Sequence, residues 1–137
     1  MTRASTCIVL DAGVLIALLE SADAHHAWSE RLIAAHAPVR LAASVLTFAE
    51  SLVRAAAVGH ASSADQALRR LGVQGISLDA EHAVALAATR AASGLKMPDA
   101  VVLFTAERMT AALATTDATL ARIALQRGLA VYSPESS

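Results

Sequence analysis

A chain of 137 residues has room for one domain, residues 1–137, and a domain of this length buries roughly 68% of the surface its unfolded chain would expose. Hydrophobic residues make up 55% and charged residues 17%, which excludes a mainly disordered chain. Aromatics at 3% argue against single-strand binding through rows of stacked rings, and a net charge of −1 leaves no global basic field, so a polyanion would have to be met by a local patch. Cys7, the single cysteine, excludes an internal disulfide and a multi-cysteine zinc site, and reads as a small buried hydrophobe. Arg3 before apolar residues and Ala22-Asp23-Ala24 faintly resemble a signal peptide, but Asp11 breaks the apolar region. No apolar run approaches the ~18 residues that span a bilayer, so the expectation is a soluble, cytoplasmic protein without a membrane partner.

Thr6 to Leu10 is apolar and β-branched without alternation, the pattern of a strand covered on both faces. A helix is expected from Ala12 to Glu20, then a second, capped by Ser21, through His36 to a stop at Pro38, with Trp28, Leu32 and Ile33 at helical spacing. Val39 to Ala43 reads as a strand. Ser44 then caps a helix that Gly59 closes, with Val45, Leu46, Phe48, Leu52 and Val53 on one broad apolar face. Another helix follows from Ser62 to Leu71, and Gly72 and Gly75 bracket a strand ending near Leu78. Asp79 caps a helix to about Ser93; Pro98 opens one that runs from Asp99 to Arg108. Ala111 to Ala114 forms a strand finished by Thr115 and Thr116, Asp117 caps a helix from Ala118 to Arg127, Gly128 ends it, and Leu129 to Tyr132 is a last strand. Strands separated by helices in this way imply a three-layer α/β fold with a mainly parallel sheet.

In such sheets ligands bind outside the carboxyl ends of the strands, where strand order reverses. Asp11 and Asp117 directly follow predicted strands, Asp99 opens the helix before the Ala111 strand, and Glu50 lies at the shoulder of an apolar helix stripe. Each has an ordinary explanation. The three aspartates could be helix caps or first-turn acids, and Glu50 is four residues from Arg54, the spacing of a helix salt bridge. Acids that converge, however, repel one another and raise a pKa unless a cation neutralises them. Mg²⁺ or Mn²⁺ does this with carboxylate and water oxygens, and phosphodiester hydrolysis is the chemistry such a site suits.

VLDAGVLIALLES with Asp11, TFAES with Glu50, KMPDAVV with Asp99 and LATTDATLA with Asp117 resemble, in order and spacing, the four acidic motifs of PIN-domain ribonucleases, especially VapC-type toxins of bacterial toxin–antitoxin pairs. The resemblance implies a PIN-like fold and a metal-dependent endoribonuclease. In it Asp11, Glu50, Asp99 and Asp117 hold Mg²⁺ or Mn²⁺, and an activated water cuts RNA to leave a 5′-phosphate and a 3′-hydroxyl. It further implies a homodimer and a VapB-like antitoxin that lays a helix along a groove and brings a basic side chain to the acids. Two positions depart from the family pattern: Gly13 stands where a small hydroxyl or amide residue is usual, and Leu120 where an aromatic is often found.

Thr116 is a candidate substrate-contacting hydroxyl, and Arg54, Arg69, Arg70 and Lys96 are candidates for phosphate contacts. His25 and His26 point about 100° apart on a helix and cannot both serve one site. No P-loop, HExxH or dinucleotide glycine fingerprint occurs. Two rival readings stay open: a non-catalytic α/β binding module whose acids are caps and ion pairs, and a Mg²⁺-dependent phosphohydrolase. A haloacid-dehalogenase-type enzyme would want an aspartate where Gly13 stands.

Overall fold

A computed structural model describes residues 6–134, so Arg3 lies outside the described residues. Five parallel strands form the centre: β1 (Cys7–Leu10), β2 (Arg40–Ser44), β3 (Val73–Ile76), β4 (Ala112–Ala114) and β5 (Val131–Tyr132), in the order β3-β2-β1-β4-β5. The helices are α1 (Ala12–Leu19), α2 (His26–His36), α3 (Val45–Ser51), α4 (Val53–Ala57), α5 (Ala61–Arg70), α6 (Ala83–Ser93), α7 (Met97–Arg108) and α8 (Ala118–Gln126). This is the three-layer α/β architecture expected from the sequence.

Side chains alternate across the pleat, so β1 feeds two cores. Cys7 and Val9 join Leu113, Leu103, Ala106, Leu120 and Ala124 on the face covered by α7 and α8. Ile8 and Leu10 join Val14, Leu15, Phe48 and Leu68 on the face covered by α1, α3 and α5. Alanines at 42, 43, 112 and 114 keep the strands thin, which lets helices approach closely. Every residue of α7 from Ala100 to Ala106 is buried, and the hydroxyl of Thr105 donates to the Val101 carbonyl at 2.7 Å. A helix buried all round is held rigidly, and its amino end lies at the carboxyl edge of the sheet.

The chain winds outward from β1 to β3, then crosses to β4 on the other side of β1. Strand order therefore reverses between β1 and β4, and it is outside the carboxyl ends of strands at such a reversal that open parallel sheets hold their ligands.

Several boundaries differ from expectation, each for a local reason. Ser21 does not cap α2; the Asp23 carboxylate instead accepts from the His25 N–H at 2.8 Å, an Asx turn that delays the helix to His26. The helix expected from Ser44 to Gly59 is broken at Leu52, whose N–H is shared between the Phe48 and Ala49 carbonyls, while the Ser51 hydroxyl also donates to Phe48. Its expected apolar face is only partly covered: Phe48 is buried, but Val45 and Leu46 are each 50% exposed and Val53 is 64% exposed. A 3₁₀ turn (Ala80–His82) precedes α6.

Replacing Leu113, fully buried in β4, by Ala is expected to cost about 3 kcal/mol through lost transfer energy and a residual cavity. Leu125→Ala, on an exposed face of α8, should stay within about 0.5 kcal/mol, and urea unfolding of both variants checks the contrast.

Candidate metal centre

Asp11 follows β1 and caps α1, its Oδ1 accepting from the Val14 N–H at 2.8 Å. Its other oxygen accepts from the Thr115 hydroxyl, and the Thr116 backbone N–H adds a further bond. Thr115, wholly buried, also accepts from the Asp117 N–H at 2.9 Å through the same hydroxyl oxygen. One hydroxyl thus ties the end of β1 to the end of β4. Asp117 caps α8, accepting from the Leu120 N–H at 3.0 Å, and its side chain reaches solvent.

Asp99 lies half-buried in the first turn of α7, behind Lys96 at the cap position, and Glu50 sits on the exposed rim of α3. Unlike the two capping aspartates, Glu50 and Asp99 accept no hydrogen bond and form no ion pair among the described residues. Glu50 is not joined to Arg54, as its spacing allowed. The break at Leu52 takes α4 out of register, and Arg54 Nη1 instead meets Glu20 at 2.9 and 3.1 Å.

The four acids share one field. Burial pushes Asp11 up to about 6; the bonds from Thr115, Val14 and Thr116 oppose that rise, and repulsion from Asp99 adds to it. Glu50 is raised by desolvation and then by Asp99, and Asp99 by desolvation and then by Asp117, with Lys96 pulling the other way. Asp99 is therefore the acid that each of the other three repels or is repelled by, and among the described residues Lys96 is the cation that acts on it. A donor set of four carboxylates, two of them without partners among the described residues, fits a hard divalent cation better than a soft one.

Other polar groups are occupied elsewhere. Among the described residues, Asp79, Glu81 and His82 are the trio whose ligand atoms lie within 4.8 Å of one another. They share no member with the quartet, whose carboxylates stand farther apart, and His82 Nδ1 is engaged by the Asp79 N–H at 3.0 Å. His26 spends Nδ1 on the Ala17 carbonyl and Nε2 on Glu30, at 2.7 and 3.2 Å, and so contributes to α1–α2 packing. Arg69 pairs with Asp65 at 2.9 Å and stacks over Phe48, and Arg70 reaches Gln66. Thr115 was missed by sequence reasoning, which weighed Thr116 as the useful hydroxyl. Its position two residues before Asp117, at the inward end of a strand, was the available signal.

The sequence matches the PIN domain family over residues 8–125, and the chain belongs to that family. No curated protein matches it. Among solved structures it is similar to a toxin–antitoxin complex from Klebsiella pneumoniae, at 26% identity and a TM-score of 0.67, covering 80% of this chain and 86% of the other. It also shares the fold of VapC20, a sarcin–ricin-loop-cleaving toxin of Mycobacterium tuberculosis (19% identity, TM-score 0.66, 89% and 95% covered). VapBC2 from Rickettsia felis, bound to a promoter DNA fragment, gives 15% identity and a TM-score of 0.67, with 93% and 98% covered.

The raised Asp11 has a definite consequence for the metal-free protein. Its folded-state pKa of about 6 lies above the ordinary 3.8, so folding favours the protonated form; that stability is fully present below 3.8 and lost as pH rises through 6. The loss amounts to about 3 kcal/mol. Asp11→Asn keeps a capping oxygen and removes the charge. Its thermal midpoint relative to wild type, measured in EDTA, should climb between pH 4 and 6 and then level off.

Proposed function

We propose that this chain is a metal-dependent endoribonuclease acting as the toxin of a bacterial toxin–antitoxin pair. The observation that carries the reading is Asp99, which accepts no hydrogen bond yet lies within electrostatic reach of Asp11, Glu50 and Asp117. Asp11, Glu50, Asp99 and Asp117 would hold Mg²⁺ or Mn²⁺. When bound, the ion supplies charge neutralisation and water activation for phosphodiester hydrolysis. The chain's own part is to present a carboxylate held at Asp11 by Thr115 and Val14, and carboxylates at Glu50 and Asp99 that no hydrogen bond among the described residues engages. Lys96, exposed and acting on Asp99, would meet an incoming RNA phosphate in this reading. Arg54 is less suited to that role, because Glu20 already engages it.

The likeness to toxin–antitoxin complexes supports an antitoxin as partner. Exposed Leu46 and Met97 border a cavity of about 270 Å³ that also includes Glu50, so an apolar segment carrying a basic group has a surface to occupy beside the acids. Action in the cytoplasm is part of the proposal; among the described residues no helix is long and apolar enough to cross a membrane. A homodimer belongs to the same reading.

The rival binding module is favoured by one observation: Asp11 and Asp117 do cap helices. It gives Glu50 and Asp99 nothing to do. Purified protein with Mg²⁺ or Mn²⁺ should cut bacterial RNA to leave 5′-phosphate ends, and EDTA should abolish cutting. Asp99→Asn and Asp11→Ala should each lower the rate at least about a hundredfold, by analogy with losing one element of transition-state charge stabilisation. Variants that cut as fast as wild type would leave the module as the better reading.

A further inference from the structure

Gly13 lies in the first turn of α1, directly after Asp11 and Ala12. A Cβ built at that position would collide with the Thr116 hydroxyl and stand 3.4 Å from Asp11 Oδ1 and 3.6 Å from the Thr116 Cβ. The Thr116 hydroxyl therefore fills the volume that any side chain at position 13 would take, on the flank of the Asp11 carboxylate. Thr116 is half-buried, and its hydroxyl makes no hydrogen bond among the described residues. Its neighbour Thr115 shows what a committed hydroxyl looks like here, bonded both to Asp11 and to the Asp117 N–H. The two threonines thus divide the work: one braces the acids, the other is left with a free donor.

We propose that the Thr116 hydroxyl donates to a non-bridging oxygen of the RNA phosphate at the carboxylate cleft, and that Gly13 is required because only glycine leaves room for it. The assignment rests on the nuclease reading. Around four carboxylates a phosphate meets repulsion on most sides, so a neutral donor beside Asp11 supplies attraction without adding a positive charge that would compete with the cation for the carboxylates. The sequence places a hydroxyl next to the first acid from β4 and clears the space for it from α1.

The test is a double-mutant cycle read by initial rates on total bacterial RNA with Mn²⁺. Thr116→Ala should lower the rate about ten- to a hundredfold, the range for losing a hydrogen bond to a charged group, and Thr116→Ser should restore it to within about threefold. Gly13→Ala should fall by a similar factor, since its Cβ displaces the hydroxyl, and should lower the thermal midpoint by a few degrees. In the Thr116→Ala background the collision is gone, so adding Gly13→Ala should change neither rate nor midpoint adversely. The midpoint shift caused by Mn²⁺ alone should match wild type in Thr116→Ala.

A Thr116→Ala protein that cuts like wild type, a double variant slowed by the product of the single effects, or loss of the Mn²⁺ shift in Thr116→Ala would each overturn the assignment. If wild type cuts RNA and Asp99→Asn does not, such a result sinks this proposal alone. If wild type cuts no RNA, the nuclease reading and this proposal fall together.

Discussion

Placing a carboxylate almost out of water at the end of the central strand is the constraint around which this molecule is organised. Asp11 is 5% exposed, and its charge is resisted by burial and by Asp99. The fold meets that cost with the Val14 N–H, the Thr116 N–H and the Thr115 hydroxyl, which come from the first turn of α1 and the end of β4. The two threonine donors are in place because β1 and β4 are parallel neighbours in register, Leu10 opposite Ala114, whereas Val14 is supplied locally by the first turn of α1. Buried α7 then fixes Asp99 against the same edge. Burial of the acid and the reversal of strand order are one arrangement seen at two scales.

Two of the four acids carry a structural role that the structure shows directly. Asp11 and Asp117 satisfy orphan N–H groups of α1 and α8, which any folded α/β chain needs, and both follow strands at the carboxyl edge of the sheet. Glu50 and Asp99 have no such duty, and they carry the functional argument. Repulsion that a purely structural design would relieve by substitution is here concentrated on Asp99, a position held by a helix with every residue from Ala100 to Ala106 buried.

Most of the fold was legible because strong local signals agreed: unalternating β1, Ser44 and Asp117 as caps, the glycines after helices, and Pro98 in the first turn of α7. The acidic quartet was legible as an ordered set of motifs, and in the structure Asp99 feels or exerts repulsion with each of Asp11, Glu50 and Asp117. What the sequence hid depends on contacts between distant segments. Ser21 was a plausible cap until Asp23 took the nearby N–H, and Arg54 a plausible partner of Glu50 until Glu20 proved nearer. Thr115 and Thr116 are indistinguishable by type, and only the pairing of β1 with β4 decides which hydroxyl meets Asp11. The exposure of Val45 and Leu46 was equally hidden, since apolar periodicity states which residues share a face and not what covers it.

The claim that these carboxylates form a cation site is tested most directly by the thermal midpoint of wild type and Asp99→Asn, each with and without Mn²⁺ at neutral pH. Binding to the folded state alone raises stability by RT ln(1 + [L]/Kd), whatever the RNA target. Wild type should rise with Mn²⁺, whereas Asp99→Asn should be more stable than wild type without metal, freed of the repelling charge, and unresponsive when Mn²⁺ is added. Equal responses in the two proteins, or none in either, would contradict the account and leave the acids as helix caps and surface charges.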